Sequence, residues 1–438
     1  MLPWLVNLFY LSLLGVASPY LAYQMISRGK YRHGWSAKLL GFVPLRSSRR
    51  PCVWIHAVSV GEVNLLAPLV DRLLAEFPDF DYVLSTTTAT GMAVARTKFP
   101  ELLTFYCPLD FSWATRRALR RIRPSLLILT ELEIWPNLIW AAKKAGAGVA
   151  IINGRLSERS FRRYCWIQVL MGRVIGQIDW IFAQSPVYAE RFIALGADPG
   201  RVVVTGSMKF DGAETCRDNP RTAHLRQLAG IISEDIVFLA GSTQDPEERY
   251  ALEAFLALRE SYPRLRLIVV PRHPHRFESV ARLLDASGVA WQRRTELEGR
   301  GADPSCRVLL VDTVGELKAW WGTAHIAFVG GSLGNRGGQN MIEPAAFGAA
   351  VSFGPNTQNF RDIVDTLLTA EAARVVRNQR ELAEFVHWCL ARPAEASAMG
   401  RRAQQVVLAN QGATARTLAG LRPLLVRQAE AMRSRFAA

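Results

Sequence analysis

The stretch FVGGSLGNRGGQNMIEPAAFG, Phe328 to Gly348, decides how the rest of the chain is read. It starts as an apolar strand (Ala327, Phe328, Val329), passes through a loop holding Gly330, Gly331, Gly334, Gly337 and Gly338, and resumes as a helix near Asn340 with Glu343 in its first turn. A strand, a glycine loop and a helix N-terminus in that order suit an anion such as phosphate. Glycines let the backbone approach a ligand and take positive φ, while free N–H groups and the helix dipole attract negative charge. Gly330, Gly331, Ser332, Gly337, Gly338 and Asn340 are therefore candidate ligand contacts. Glu343 adds a carboxylate able to accept hydrogen bonds from both hydroxyls of a ribose. Glycines alone also occur in ordinary βα turns, but followed by Asn-x-x-Glu-Pro they narrow the choice to a nucleotide site. No Gly-Lys-Ser/Thr follows, so this is not a P-loop, and the spacing is not GxGxxG, which argues against hydride transfer.

Working outward, strands and helices alternate along the chain. Short apolar or β-branched runs at 52–56, 82–85, 126–129, 149–152, 180–183 and 202–205 are separated by helical patterns such as Val63 to Phe77. A second series follows at 236–240, 265–270, 308–311, 326–329 and 350–353. This alternation implies mainly parallel, helix-covered sheets. A chain of 438 residues suits two such domains. The polar segment Asp211 to Arg226, with Asn219-Pro220, is the expected linker. The expected division is a helix over 1–27, an N-terminal Rossmann-like domain over 28–210 and a C-terminal one over 211–438, the last helix being free to cross back. Ligands of open parallel sheets sit at the carboxyl ends of the strands, so a cleft between the domains is the expected place for chemistry.

From Met1 to Ser27 no side chain is charged, and Arg28, Lys30, Arg32, Arg49 and Arg50 follow. A cleaved signal peptide usually carries a cation before its apolar core, and none stands there. The expectation is a retained anchor with its basic flank on the cytoplasmic side, Trp4, Tyr10, Tyr20, Tyr23 and Trp35 lying near headgroup level. The net charge of +15 asks for an anionic partner. Six cysteines lie far apart without a CxxC pair, which argues against a zinc site and a disulfide framework.

Strand ends carry the candidate chemistry. Glu62, closing His56-Ala57-Val58-Ser59-Val60-Gly61-Glu62, can take a proton from an acceptor hydroxyl or simply meet the dipole of its own helix. The hydroxyls of STTTATG (85–91) can hold a sugar or cap the next helix. Glu131 and Glu133, beside Trp135 in TELEIWPN (130–137), suit a carbohydrate. Lys209 can neutralise a leaving phosphate or pair with an acidic neighbour. Arg272 and His273, in PRHPHR (271–276), suit a phosphate or base. His273 and His275 have no third ligand nearby in sequence, so no metal is expected.

Together these stretches resemble the Kdo transferases, membrane-associated enzymes that add 3-deoxy-D-manno-octulosonic acid (Kdo) to the lipid A precursor. The resemblance rests on HAVSVGE, STTTATG, TELEIWPN, NGRLSERS (153–160), AQS (183–185), GSMKFD (206–211), GSTQDPEE (241–248), PRHPHR, VDTVGEL (311–317) and FVGGSLGNRGGQN with EP, in that order over nearly the whole chain. It implies the GT-B arrangement, two Rossmann-like domains facing across a cleft, acting at the cytoplasmic face of a bacterial inner membrane. It also implies an inverting, metal-free transfer without a cofactor, from the donor CMP-Kdo to lipid IVA in lipopolysaccharide synthesis. By the same resemblance Glu62 is the general base, Glu131 and Glu133 match two further acidic positions, and Arg272, the 330–340 loop and Glu343 hold CMP. Gln244 and Gln339 stand where that family usually has histidine, and an amide keeps a hydrogen bond but not the charge. The rival readings are another GT-B nucleotide-sugar transferase, a sugar-nucleotide epimerase, or a basic module for membranes or nucleic acid. Dispersed cations argue against nucleic acid.

Overall fold

Apolar runs too short for helices, bounded by polar turns, assemble into two parallel sheets. The computed structural model describes residues 2–27 and 33–437, so the cations Arg28, Lys30 and Arg32 expected to flank the first helix lie outside the described residues. The chain divides into two compact units, Met1–Gly212 with Gln411–Ala438, and Ala213–Asn410.

The first unit holds β1 (Cys52–His56), β2 (Asp81–Thr86), β3 (Leu103–Tyr106), β4 (Leu126–Thr130), β5 (Gly148–Gly154), β6 (Trp180–Ala183) and β7 (Val202–Val204). They lie in the order β3-β2-β1-β4-β5-β6-β7, every pairing parallel. β1, β4 and β5 are buried along their whole length, as strands covered by helices on both faces must be. Alternate side chains feed two cores. Trp54, Leu127 and Leu129 point to one, while Val53, Ile55, Leu126 and Ile128 point to the other with Leu69 and Leu73.

The second unit repeats the plan with β8 (Ile236–Thr243), β9 (Leu265–Pro271), β10 (Trp291–Arg293), β11 (Val308–Leu310), β12 (Ile326–Val329), β13 (Ala350–Phe353) and β14 (Ala373–Val375). Their order is β10-β11-β9-β8-β12-β13-β14, again parallel throughout. In each sheet the winding reverses beside the first strand, between β1 and β4 and between β8 and β12. At such a reversal the connections from the two strands leave in opposite directions and open a crevice at the carboxyl ends.

The first helix, Leu2–Ser27, is docked by one stripe. Asn7, 2% exposed, donates to Ser112 Oγ (2.8 Å) and accepts from the Ser112 N–H (2.9 Å) and Asn137 Nδ2 (3.2 Å). Tyr10 donates to Asp110. Trp4, Leu8, Phe9, Val16, Tyr20 and Ile26 point outward and are exposed. No helix among the described residues is long and apolar enough to cross a membrane. The expected anchor is thus a helix with polar positions at Asn7, Ser12, Ser18 and Gln24, and Asn7 and Gln24 are buried.

Candidate active site

Glu62 follows β1, and Glu131 and Glu133 follow β4, so the first sheet's reversal brings together three carboxylates far apart in sequence. Ser59 starts the short Val60–Leu65 helix by accepting the Glu62 N–H, and its hydroxyl donates back to Glu62 Oε1 (2.9 Å), a reciprocal cap. The other oxygen, Oε2, accepts the Val58 N–H (2.8 Å) and lies 2.9 Å from Thr130 Oγ1 at the end of β4. Glu62 is therefore both a helix cap and an oriented carboxylate at the crevice. Burial raises its pKa against the opposing Val58 N–H, and the charge of Glu131 raises it further.

Glu133 is pushed up to about 7, first by burial and then by the charge of Glu62, against the Trp135 indole N–H that donates to it at 2.7 Å. Behind it lies His56, fully buried and pushed down to about 4 by that burial. His56 Nδ1 lies 2.9 Å from Ser85 Oγ and 3.2 Å from the Ser85 carbonyl, a network that assigns the proton to Nδ1. Nε2 then carries a lone pair 3.8 Å from Glu133 Oε2, which favours the protonated acid over an ion pair. Glu131 takes a positive φ of 53°, a conformation uncommon outside glycine and concentrated at functional sites. Lys209 Nζ lies 3.1 Å from its Oε1, so the structure pairs this lysine with an acidic neighbour.

Two hydroxyls of the 85–91 stretch, those of Thr86 and Thr88, serve the fold. Thr86 donates to the Val58 carbonyl (2.9 Å) and Thr88 caps the next helix through the Gly91 N–H (3.0 Å).

In the second unit, the loop after β12 and Glu343 lie at the other reversal. Glu343 stands in the first turn of the Ile342–Ala346 helix, and Asn340 Nδ2 donates to it at 3.1 Å. Burial raises its pKa, while Asn340, Lys318 and Arg272 oppose the rise. Gly331, Gly337 and Gly338 all have φ between 66° and 87°, which fits glycine. The N–H groups of Gly331 and Ser332 go to Glu247, a residue to which sequence reasoning gave no role although it stands in the quoted GSTQDPEE. Arg272, following β9, is exposed. The His273 and His275 rings stack 5.2 Å apart, and burial with Arg272 and His275 lowers the pKa of His273. Among the described residues no group of three His, Cys, Asp or Glu is placed to hold a metal ion. Gln244 and Gln339 sit side by side, their amide nitrogens 3.5 and 3.2 Å from where a Cβ on Gly331 would lie.

Residues 33–212 match the family model described as "3-Deoxy-D-manno-octulosonic-acid transferase (kdotransferase)". The chain is 37% identical over 378 residues to the 3-deoxy-D-manno-octulosonic acid transferase of Bordetella pertussis, covering 84% of this chain and 86% of that one. It is 33% identical over 430 residues to that of Haemophilus influenzae, covering 96% and 99%. Among solved structures, the UDP-GlcNAc 2-epimerase of Neisseria meningitidis bound to UDP-GlcNAc superposes with a TM-score of 0.57 at 14% identity, over 84% of this chain and 99% of that one. That likeness concerns the fold alone. The level of identity to the two transferases, over 86% of one and 99% of the other, settles the relationship: the chain belongs to the 3-deoxy-D-manno-octulosonic acid transferase family.

Proposed function

We propose that the protein transfers Kdo from CMP-Kdo to lipid IVA, with inversion at the anomeric carbon and Glu62 as general base. The observation that carries this reading is the position of Glu62, oriented by Val58, Ser59 and Thr130 at the reversal of the first sheet. Its raised pKa strengthens it as a proton acceptor. The acceptor hydroxyl attacks the anomeric carbon as Glu62 takes its proton. The bond to the CMP oxygen breaks, and CMP leaves with the electron pair as a phosphate monoester. Cations such as Arg272 stabilise that charge, and Glu343 with Asn340 receives the nucleoside sugar. Glu131 is paired with Lys209, whereas Glu133 beside neutral His56 is poised to hold a proton. The work is divided between carboxyls, Glu62 taking the proton and Glu133 donating a hydrogen bond to the sugar.

The acceptor is an amphiphile, and the reading places the enzyme at the cytoplasmic face of the inner membrane. The exposed apolar side of the Leu2–Ser27 helix supports an interfacial helix lying on the bilayer. Attraction of roughly 1 kcal/mol per cation near an anionic surface holds a basic protein close to its lipid.

The test compares wild type with Glu62→Gln, solubilised in detergent, on CMP-Kdo and a tetraacyl lipid A precursor, with product masses as readout. Wild type is expected to add Kdo and the variant to lose at least about a hundredfold in turnover while still binding CMP. An inert wild type overturns the substrate pair. An active variant leaves Glu62 as a helix cap and moves the base to Glu131 or Glu133.

A further inference from the structure

Glu247 opens the Glu247–Leu258 helix directly after β8 and is 1% exposed. Its side chain reaches both the turn before its own helix and the loop after β12. One oxygen accepts the N–H of Gln244 (2.9 Å) and of Gly331 (2.7 Å), and the other accepts Ser332 (3.0 Å) and Leu333 (3.0 Å). Four backbone amides surround one carboxylate, three of them from the loop after β12. Contact is close enough to dictate sequence at that loop. A Cβ on Gly330 would lie 2.7 Å from Glu247 Oε2 and 2.6 Å from Thr243 Cα. The far side is tied as well, since Ser332 Oγ accepts the Gly354 N–H (2.8 Å) and the Ser332 carbonyl accepts the Asn356 N–H (3.0 Å). The next residue, Glu248, is equally buried and reaches Arg276, in the turn after β9, at 3.2 Å. Two adjacent glutamates thus brace the two loops that flank β8.

This changes what the glycine loop offers. The amides of Gly331, Ser332 and Leu333, which an anion at the strand end would use, already serve an internal carboxylate. We propose that Glu247 is the positioning residue of the donor loop. It fills the place of an anion at the strand end and so presents the distal half, Gly337 to Glu343, in its binding shape before the nucleotide arrives. The donor phosphate then lies away from Gly331–Leu333, because a second negative charge beside Glu247 would be repelled. Preorganisation of this kind acts on ligand affinity rather than on the chemical step. The inference rests on the reading of the second unit as the CMP-sugar unit.

The experiment uses the full-length protein in detergent. Hydrogen exchange of the peptide spanning 330–334 is followed without nucleotide, CMP binding is measured by calorimetry, and KM and kcat are determined for wild type and Glu247→Gln. In wild type the three amides are expected to be protected. In Glu247→Gln, which turns two donors toward two acceptor-seeking amides, protection is lost and CMP affinity falls at least about tenfold. KM for CMP-Kdo rises by a similar factor with kcat within about threefold. A role confined to holding the unit together would lower melting temperature and leave the affinity of the folded fraction unchanged, and that outcome overturns the proposal. Should the variant not fold, wild-type exchange decides alone, since unprotected amides overturn the proposal. A wild type that protects these amides yet fails to bind CMP overturns the donor reading on which the proposal stands.

Discussion

Glu133 meets three adverse influences at once: burial, the charge of Glu62 and the lone pair of a neutral His56. Its folded-state pKa of about 7 lies above the ordinary glutamate value of 4.5. A raised acid contributes stability that is fully present below about pH 4.5 and is lost as pH rises through 7. Glu133→Gln, which keeps the shape and never ionises, is expected to melt higher than wild type at pH 8 by the equivalent of about 1–3 kcal/mol, allowing for partial exposure. The two melting curves should converge near pH 4. A pH-independent difference would mean that Glu133 ionises in the fold as freely as in water. Residue types near the site were legible where they stood in a recognisable string, as with Glu62, Glu131 and Glu343. His56 and Glu247 were quoted within such strings and still carried no role. Their function depends on partners 29 and 84 or more residues away, Ser85 and the loop after β12, and no local spacing encodes those contacts.

At the scale of elements, central strands announced themselves as unbroken apolar runs, and three of the four strands at sheet ends did not. β3, at one end of the first sheet, and β10 and β14, at the two ends of the second, went unseen because LTFY, WQR and ARV are short and half-exposed, whereas β7 at the other end of the first sheet is the apolar run VVV. A lone pairing partner asks less of a strand's apolar content. The first helix has two faces, one exposed and apolar and one docked. Its uncharged length reads as an anchor, yet Asn7 makes it a docked element, bonded to Ser112 and Asn137. Asn7→Leu, similar in volume, strands the Ser112 N–H and should cost about 1–3 kcal/mol of docking free energy. The expected outcome is faster hydrogen exchange over Leu5 to Gly15 with unchanged exchange in β4 and β5. Equal exchange in variant and wild type would show that apolar contacts alone hold the helix.

For the whole molecule, two alternating series predicted two parallel α/β units, and the sheets follow that plan. The end of the chain was harder to place. A helix such as Ala413–Ala437 is amphipathic in pattern, and the pattern says that one face is buried without saying against what. The answer lies in side-chain fit. Leu418, Leu421 and Leu425 are buried in the first unit beside Val53, Ile55 and Leu69, and Gly420 passes so close to Phe182 that a Cβ has no room. Asp211 fixes the entry by accepting the Gly412 N–H at 2.7 Å. Three leucines buried at about 1.5–3 kcal/mol each contribute several kcal/mol to a domain whose net stability is of order 5–15 kcal/mol. Ending the chain after Asn410 therefore removes a wall of the first unit's core and leaves the second unit's own core intact. The expected result is a truncated protein whose first unit unfolds or aggregates, with dispersed exchange-protected amides surviving in β8, β9 and β12. The fragment Ala213–Asn410, expressed alone, should fold cooperatively, because every strand of its sheet and the helices that cover it lie within those bounds. Circular dichroism and amide NMR of the two products check this. A truncated first unit that melts like the full-length one would mean that the last helix only rests on the surface, against the complete burial of its three leucines.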